Sequence, residues 1–207
     1  MRRKKTEKMK KGRLIVLSGP SGVGKGTVVK ALMERDPRVR VSVSATTRQM
    51  RPNEIHGVHY YFLSREEFER RIAENQFLEH AEYVGNYYGT PEDPVNRMLE
   101  EGLDVILEIE VQGGLQVMQR RSDAISIFIA APSFAVLEGR LRGRGDTDED
   151  KIQKRLETAR REYLVAPNYQ YIVVNDRLED AVDDVQSILR AEALQTEHQL
   201  ELLKEAN

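Results

Sequence analysis

The sequence predicts an α/β fold in which a mostly parallel sheet is covered by helices on both faces. Short apolar runs alternate with segments of helical spacing, and this alternation is typical of parallel strands joined by crossover helices. A glycine-rich segment after the first run is typical of a loop that leads from a strand into a helix. Buried strands are predicted at Leu14–Ser18, Leu103–Ile109, Ala124–Ala130 and Tyr169–Val174, with a shorter alternating strand at Val39–Val43. Helices are predicted at Gly24–Arg35, Val111–Arg121, Ser133–Arg142 and Asp150–Val165.

Residues 44–90 interrupt this rhythm and predict an inserted α+β subdomain. They are rich in Arg, Gly, Pro, His and Tyr, with β-like pieces such as His59–Leu63 and a turn signal at Gly85-Asn86. Ser64 and Glu67 form a capping box ahead of the apolar Phe68, so a helix is expected to begin there.

A chain of 207 residues suits one domain, which is predicted over 13–190 and consists of a core, 13–43 and 91–190, and the insert. Residues 1–12 form a basic N-terminal arm. Residues 143–149 have no apolar anchor and predict a lid loop between two helices. Residues 191–207 extend a C-terminal helix predicted from Leu178 to Lys204. That helix packs on its own domain or on a second copy, so monomer and homodimer both stay open.

Composition argues against several classes of partner. The net charge is −2, so no global basic field indicates nucleic acid binding. No stretch approaches 18 apolar residues, so no membrane span is expected. The absence of cysteine excludes disulfides and thiolate metal sites and fits a reducing, cytoplasmic location.

The segment GPSGVGKGT predicts a phosphate-binding loop. Gly19, Gly24 and Lys25 match the signature G-x-x-x-x-G-K-[ST], in which glycines let successive N–H groups turn toward an anion. Gly26 replaces the Ser or Thr that ends the signature, and Thr27 follows, so the usual hydroxyl ligand of Mg²⁺ is missing. The residues predicted to bind ATP are Gly19, Pro20, Ser21, Gly22, Val23, Gly24, Lys25, Gly26 and Thr27. The loop alone does not identify the phosphoryl acceptor.

Two further groups of residues suggest that acceptor. Arg48 and Arg51 lie three residues apart and near Tyr60, and arginine forks hold phosphate bidentately, so a terminal monophosphate is one interpretation. A solvated basic loop is the other. Glu108 and Glu110 follow a buried run and are predicted to alternate on one strand, facing the same way at its carboxyl end. Ligands of parallel sheets bind at that end, and uncompensated acids on a buried strand are costly.

Taken together, these motifs resemble those of guanylate kinases. The matching stretches span roughly residues 13–190 and are GPSGVGKGT, SVSATTRQMRPNEIHGVHYYF, FLEHAEYVGNYYGT, LEIEVQGG and RLRGRG through IVVND. The Gly-Lys-Gly-Thr variant also occurs within nucleoside monophosphate kinases. The resemblance implies a P-loop NTPase fold, in which the insert binds the nucleoside monophosphate. It also implies transfer of the γ-phosphoryl group of ATP to GMP in purine nucleotide metabolism.

The resemblance further implies residue roles. The guanine pocket corresponds to Ser44, Glu79, Thr90 and Glu110, with Thr90 where many relatives have Ser, and the acceptor-phosphate site to Arg48, Arg51, Tyr60 and Tyr88. The residues implied in catalysis are Lys25, Arg48, Arg140, Arg144 and Arg155, and Asn175 is implied near adenine. A carboxylate accepts from the ring N–H and exocyclic amine of guanine, whereas adenine presents a lone pair there. Glu79 or Glu110 is the favoured partner.

Transfer to a phosphate oxygen needs positioning and charge neutralisation more than proton chemistry, so no general base is expected. Mg²⁺ is expected with ATP, held through water, by Thr27 or by carboxylates elsewhere, and Glu108 is the candidate to orient its water. The insert is expected to close on GMP and the lid on ATP, which excludes water.

Two alternatives remain. Some guanylate-kinase-like domains bind peptides without catalysis, but those typically have damaged phosphate loops. A kinase for AMP or a phosphorylated ribose would share the phosphate loop but not the guanine set. A guanosine alarmone that competes with GMP is a further hypothesis, since a guanine pocket admits other guanosine phosphates.

Overall fold

The computed structural model describes residues 11–143, 148–196 and 199–200, and the structural statements below concern these residues. The strands are β1 (Leu14–Ser18), β2 (Val39–Val41), β3 (Ala45–Thr46), β4 (Tyr61–Phe62), β5 (Phe77–Tyr83), β6 (Asn86–Pro91), β7 (Asp104–Glu108), β8 (Ile125–Ala130) and β9 (Tyr171–Val174). The helices are α1 (Lys25–Arg35), α2 (Arg65–Ala73), α3 (Glu92–Glu100), α4 (Val111–Arg120), α5 (Phe134–Arg142), α6 (Glu149–Val165) and α7 (Leu178–Glu192), with a 3-10 turn at Ala166–Asn168.

The central sheet has five parallel strands in the order β2-β7-β1-β8-β9. Its strands are apolar on both faces because each face is covered by helices. On β1, Ile15 and Leu17 contribute to a core with α1 and α7, whereas Leu14 and Val16 contribute to one with α3 and α4. The prediction of a parallel sheet between two helical layers is confirmed. All the carboxyl ends of its strands lie at one edge.

A second sheet lies between β2 and α3 in the chain, with the order β4-β3-β6-β5. The Ser64 hydroxyl accepts from the Glu67 amide at 3.1 Å, which confirms the predicted capping of α2. The hairpin of β5 and β6 turns through Val84 and Gly85, both at positive φ (48° and 73°), as two-residue hairpins require. Phe68 of α2 stacks on Phe77 with ring centroids 4.3 Å apart and seals a small core of its own.

One helix boundary was predicted wrongly. The helix expected to run from Leu178 to Lys204 ends at Glu192, and Ala193 is its C-terminal cap. The side chains of Val182, Val185 and Leu189 pack on the central sheet, but Leu194 is 66% exposed. The apolar stripe that stabilises the helix therefore stops where the body of the domain stops. Within the described residues no helix is long and apolar enough to span a bilayer.

A buried ion pair ties the start of the central sheet together. The Asp104 carboxylate accepts from the Arg13 backbone amide at 2.9 Å and from its Nε at 3.0 Å, and the guanidinium also donates to the Leu189 carbonyl. The Arg13 and Asp104 side chains are only 16% and 5% exposed, so strands β1 and β7 and helix α7 meet at one desolvated charge pair.

Asp104→Ala is expected to lower the free energy of unfolding by about 3–5 kcal/mol, because it leaves Arg13 charged, buried and unpaired. Urea unfolding of the variant and the parent chain measures this. The matched control is Asp183→Ala, which breaks an exposed pair with Arg35 and is expected to cost at most about 1 kcal/mol. Equal losses of unfolding free energy in the two variants would contradict the conclusion that the Arg13–Asp104 pair is buried.

Candidate active site

The glycine-rich segment leaves β1 at the carboxyl edge of the central sheet and turns into α1. A Cβ on Gly19 would lie 2.2 Å from the carbonyl oxygen of Ile129, so only glycine lets the loop pass so close to β8. Gly24, the residue before α1, has φ 90° in the left-handed region. The loop borders a cleft of about 350 Å³ lined by Pro20, Ser21, Gly22, Gly24, Lys25, Gly26, Thr27 and Glu108. A helix N-terminus and inward-turned amides make this cleft an anion site.

Lys25 is the first residue of α1, and its ammonium lies against the loop. Nζ donates to the carbonyl of Gly19 and, at 3.2 Å, to that of Pro20. Glu108 ends β7 and lines the same cleft, and a Cβ on Gly26 would lie 3.4 Å from its Oε1. Desolvation by the cleft raises the pKa of Glu108, and the charge of Lys25 opposes that rise. The lining of the cleft thus includes one ammonium and one carboxylate.

Two of the arginines expected around ATP reach the same loop. Arg140 of α5 approaches the Val23 carbonyl at 3.5 Å, and Arg155 of α6 approaches the Ser21 hydroxyl at 3.4 Å. Arg144 lies outside the described residues, as does most of the lid. The two helices that flank the lid therefore direct positive charge at the phosphate loop.

Asn175 follows β9 and is buried beneath the loop rather than beside an open cleft. Its side-chain amide donates to the Val23 carbonyl at 2.7 Å, and its backbone amide donates to the Ala130 carbonyl at 2.8 Å. A Cβ on Gly24 would lie 2.6 Å from the same Nδ2. In this structure Asn175 therefore supports the backbone of the phosphate loop.

Glu79 is a buried carboxylate on the second sheet. Register pairs it with Thr90, whose hydroxyl donates to Glu79 Oε1 at 2.7 Å, and both side chains are at most 7% exposed. Its other oxygen faces helix α4, where a Cβ on Gly113 would lie 2.8 Å from Oε2. Burial raises the pKa of Glu79, Thr90 opposes the rise by hydrogen bonding, and the charge of Glu110 adds to it. Such a carboxylate favours a ligand that donates hydrogen bonds.

Glu110 does not share a strand with Glu108, so that prediction was wrong. Strand β7 ends at Glu108, and Glu110 is the residue before α4, with its backbone carbonyl accepting from Gly114 at 2.9 Å. The chain leaves the sheet after Glu108 and α4 begins at Val111, so neither glutamate is buried within the central sheet. Glu110 and Glu79 remain electrostatic neighbours.

Ser44, the remaining residue of the predicted guanine pocket, precedes β3. Its backbone carbonyl accepts from the Tyr61 amide at 2.8 Å.

Three residues expected around the acceptor phosphate meet beside the second sheet. Tyr88 pairs in register with Thr46, two residues before Arg48. The Arg48 guanidinium lies 5.6 Å from the Tyr60 ring centroid, and the Tyr60 and Tyr88 rings are 6.2 Å apart. Strand pairing therefore assembles residues that are forty positions apart in sequence.

A family model described as guanylate kinase matches residues 11–192, which include the phosphate loop, the second sheet and α6. The chain belongs to the guanylate kinase family. It is 55% identical over 181 residues to the guanylate kinase of Desulfitobacterium hafniense (strain Y51), covering 87% of this chain and 90% of that protein. It is 48% identical over 202 residues to the guanylate kinase of Clostridium perfringens (strain SM101 / Type A), covering 98% and 94%.

The fold agrees with a solved structure of the family. The crystal structure of guanylate kinase from Anaplasma phagocytophilum matches with a TM-score of 0.70 and 36% sequence identity, covering 90% of this chain and 89% of that one. The predicted family and P-loop NTPase fold are thus confirmed. The activity is that of a guanylate kinase, an ATP:GMP phosphotransferase.

Glu54 is a residue of this guanylate kinase site that the sequence analysis missed. Its carboxylate accepts from Arg48 Nη2 at 2.6 Å and Nη1 at 3.0 Å, and from the Arg51 backbone amide at 2.8 Å. The hydrogen bonds from Arg48, then that from Arg51, hold the pKa of Glu54 down at about 2. Glu54 therefore joins the two arginines predicted to bind the acceptor phosphate. Its position six residues after Arg48 was the only signal.

Proposed function

We propose that the transfer of the γ-phosphoryl group from ATP to GMP takes place between the phosphate loop and the second sheet, with guanine held at Glu79. The observation that carries the proposal is the buried Glu79 carboxylate, which Thr90 orients and Glu110 neighbours. A buried carboxylate is costly unless a ligand or partner donates to it. The ring N–H and exocyclic amine of guanine supply two such donors side by side, whereas adenine offers a lone pair. Ser44, which precedes β3 of the same sheet, completes the proposed guanine pocket.

The GMP phosphate is proposed to bind at Arg48, Arg51, Tyr60 and Tyr88. Arginine forks pair with two phosphate oxygens at once and keep their charge at every physiological pH. The proximity of Arg48 to Tyr60 and Tyr88 supports this placement, since the phenol hydroxyls supply further donors. Arg51 joins them through the contact of its amide with Glu54.

ATP is proposed to bind at Gly19–Thr27, with Asn175 holding the loop in shape. Lys25 supplies a point charge to the β- and γ-phosphates, and Arg140 and Arg155 approach from the lid side. Together with Arg48 they would neutralise the charge that spreads over the moving phosphoryl group. Arg144 is proposed to join them from the lid. An acceptor phosphate oxygen is already a nucleophile, so the proposed mechanism has no general base.

Mg²⁺ is proposed to accompany ATP. Within the described residues no three His, Cys, Asp or Glu side chains form a metal cluster, which suits an ion that keeps most of its waters. The donor set fits such an ion, because Glu108 and Thr27 both line the phosphate cleft and offer a carboxylate and a hydroxyl oxygen. The ion would neutralise charge on the phosphates, and Glu108 would hold one of its waters.

The experiment is an assay of ADP formation from Mg-ATP with GMP, AMP, ribose 5-phosphate or no acceptor. We expect turnover with GMP and a specificity ratio over AMP of about 10⁴ or more, since unpaired buried acceptors discriminate that strongly. Turnover with AMP at a similar rate would overturn the guanine pocket. Folded protein that turns over with none of the acceptors would favour the binding-module alternative. The same assay tests a guanosine alarmone, which is expected to raise the apparent KM for GMP.

Glu54→Gln is expected to raise the KM for GMP about three- to tenfold with little change in kcat, because a weakened anchor leaves Arg48 and Arg51 less ordered. The pKa of Glu54 is about 2, below its ordinary value of 4.5. The anchoring of Arg48 and Arg51 by the Glu54 carboxylate is therefore complete above pH 4.5. The effect is lost only as pH falls toward 2, so the variant's defect should not change between pH 6 and 9. Glu69→Gln on α2 is the control. A lower KM in Glu54→Gln would show that Glu54 competes with the phosphate.

A further inference from the structure

Gln116 is a half-buried side chain of α4 for which the proposed mechanism has no use. Its amide contacts both backbone polar groups of His80 on β5. The side-chain oxygen accepts from the His80 N–H at 3.2 Å, and the side-chain nitrogen donates to the His80 carbonyl at 3.1 Å. One primary amide thus bonds a donor and an acceptor of the same residue, as a paired residue of a neighbouring antiparallel strand would.

This contact lies at the outer edge of the second sheet. Among the described residues, β5 has a strand neighbour only on the β6 side, because the order is β4-β3-β6-β5. Backbone groups of an edge strand that point away from the sheet need a partner other than a strand. Gln116 is that partner for His80, so it fastens β5 of the insert to a helix of the core.

The same face of α4 contacts the proposed guanine acceptor. Gly113 and Gln116 lie three residues apart on the helix and therefore face the same way. A Cβ on Gly113 would lie 2.8 Å from Glu79 Oε2, so the carboxylate lies directly against the helix backbone. Glu79 directly precedes His80 in the chain. One face of α4 thus contacts both the backbone of β5 and the carboxylate beside it.

The position of Glu79 relative to α4 matters because the second glutamate of the proposed pocket belongs to that helix. Glu110 is the N-terminal cap of α4. The bond from the Thr90 hydroxyl fixes Glu79 relative to β6, which belongs to the second sheet, and not relative to α4. The contact between Gln116 and His80 joins β5 to α4, and it therefore sets how the two glutamates lie relative to each other.

We propose that Gln116 is a positioning residue for guanine, which holds the Glu79 carboxylate where it accepts from the ring N–H and the exocyclic amine at once. This rests on the proposed function of Glu79. Two hydrogen bonds to one carboxylate require a defined direction as well as a defined distance. Without Gln116 the carboxylate stays in the pocket, but β5 is free to shift on α4, and small misplacements of a binding group are costly.

The test compares kcat/KM for GMP with kcat/KM for IMP, which keeps the ring N–H of guanine but lacks the exocyclic amine. Gln116→Met keeps the length of the side chain and removes both hydrogen bonds to His80. It is expected to lower the GMP to IMP ratio about tenfold without changing the KM for ATP, because the second bond to Glu79 depends on placement. A general loosening of the insert would instead lower kcat/KM for both acceptors equally.

Two variants of the same helix serve as controls. Gln119→Met alters an exposed glutamine of α4. Arg120→Met removes another bond between α4 and the insert, in which Nη2 donates to the Asn75 carbonyl at 3.3 Å in the turn between α2 and β5. Both are expected to keep the parent ratio of GMP to IMP. An unchanged ratio in Gln116→Met, or an equal fall in Arg120→Met, would overturn the proposal.

A second measurement uses the parent chain alone. Exchange of the His80 amide with deuterium in the nucleotide-free protein, followed by NMR, is expected to be slow, because Gln116 accepts from that amide. Exchange of this amide at the rate of an unprotected chain would overturn the proposed contact.

Failure of this inference and failure of the proposed function give different results. In a Glu79→Gln background, Gln116→Met should lower the GMP to IMP ratio no further, since it acts through Glu79, and a further tenfold fall would overturn the proposal. A lower ratio in Glu79→Gln with an unchanged ratio in Gln116→Met would overturn the role of Gln116 alone. An unchanged ratio in Glu79→Gln itself would overturn the proposed guanine pocket.

Discussion

Glu79→Gln is expected to lower kcat/KM for GMP about 10³-fold, because it replaces the proposed acceptor of two guanine N–H groups by an amide that can accept only one. The Thr90 hydroxyl already donates to Oε1, so the variant has few ways to reorient without losing that bond as well. Glu79 is only 7% exposed, so bulk water is a poor substitute for a lost hydrogen-bond partner. The ratio of kcat/KM values for GMP and AMP measures the effect.

The matched control is Glu82→Gln, which alters a glutamate of the same strand whose side chain is 49% exposed. It should retain nearly the parent kcat/KM. The raised pKa of Glu79 adds a pH signature: guanine binding needs the ionised form, so the KM for GMP should begin to rise on acidification at a higher pH than for an ordinary glutamate. If Glu79→Gln lowered kcat/KM for GMP by less than about threefold, a size typical of exposed ion pairs, Glu79 would not be the guanine acceptor.

Lys25→Met is expected to lower kcat about 10³-fold while the chain remains folded, because it removes a preorganised charge from the phosphates in the transition state. The methionine keeps the length of the apolar stem, so α1 and the glycine loop need not move. Lys25→Arg is expected to rescue little, since a planar fork does not replace a compact ammonium between the Gly19 and Pro20 carbonyls.

The control for this pair is Lys30→Met, an exposed lysine of the same helix, which should leave kcat unchanged. Rapid-quench measurement of a single turnover separates the chemical step from product release. A Lys25→Met variant with more than about a tenth of the parent rate would contradict the role of Lys25, since loss of one such group costs at least 10².

The central sheet was predictable because its strands are apolar on both faces and its crossover helices have clear spacing. Leu14–Ser18 was predicted at its observed bounds, and the other strands within a few residues. The C-terminal helix was overextended because Leu194 and Leu200 continue the spacing of Leu189 but find no surface to pack on. Periodicity in a sequence does not show where the partner surface ends.

The site was only partly predictable. Glycine and lysine spacing identified the phosphate loop, because its chemistry is local. Glu79 and Thr90 were predicted as guanine-binding residues only through the family resemblance, since strand register and burial are not visible in sequence. Glu54 resembles an ordinary surface acid in the sequence, and only its neighbour in space, Arg48, distinguishes it. Glu110 was misplaced because a strand was extended two residues into a helix start.

Transfer of label from ATP carrying a radioactive γ-phosphate tests the central claim most directly. With GMP as acceptor, the label is expected in the β-phosphate of GDP, with one ADP formed for each GDP and almost none released as inorganic phosphate. Label that appears mainly as inorganic phosphate, or in ADP when AMP replaces GMP, would contradict a site built around guanine.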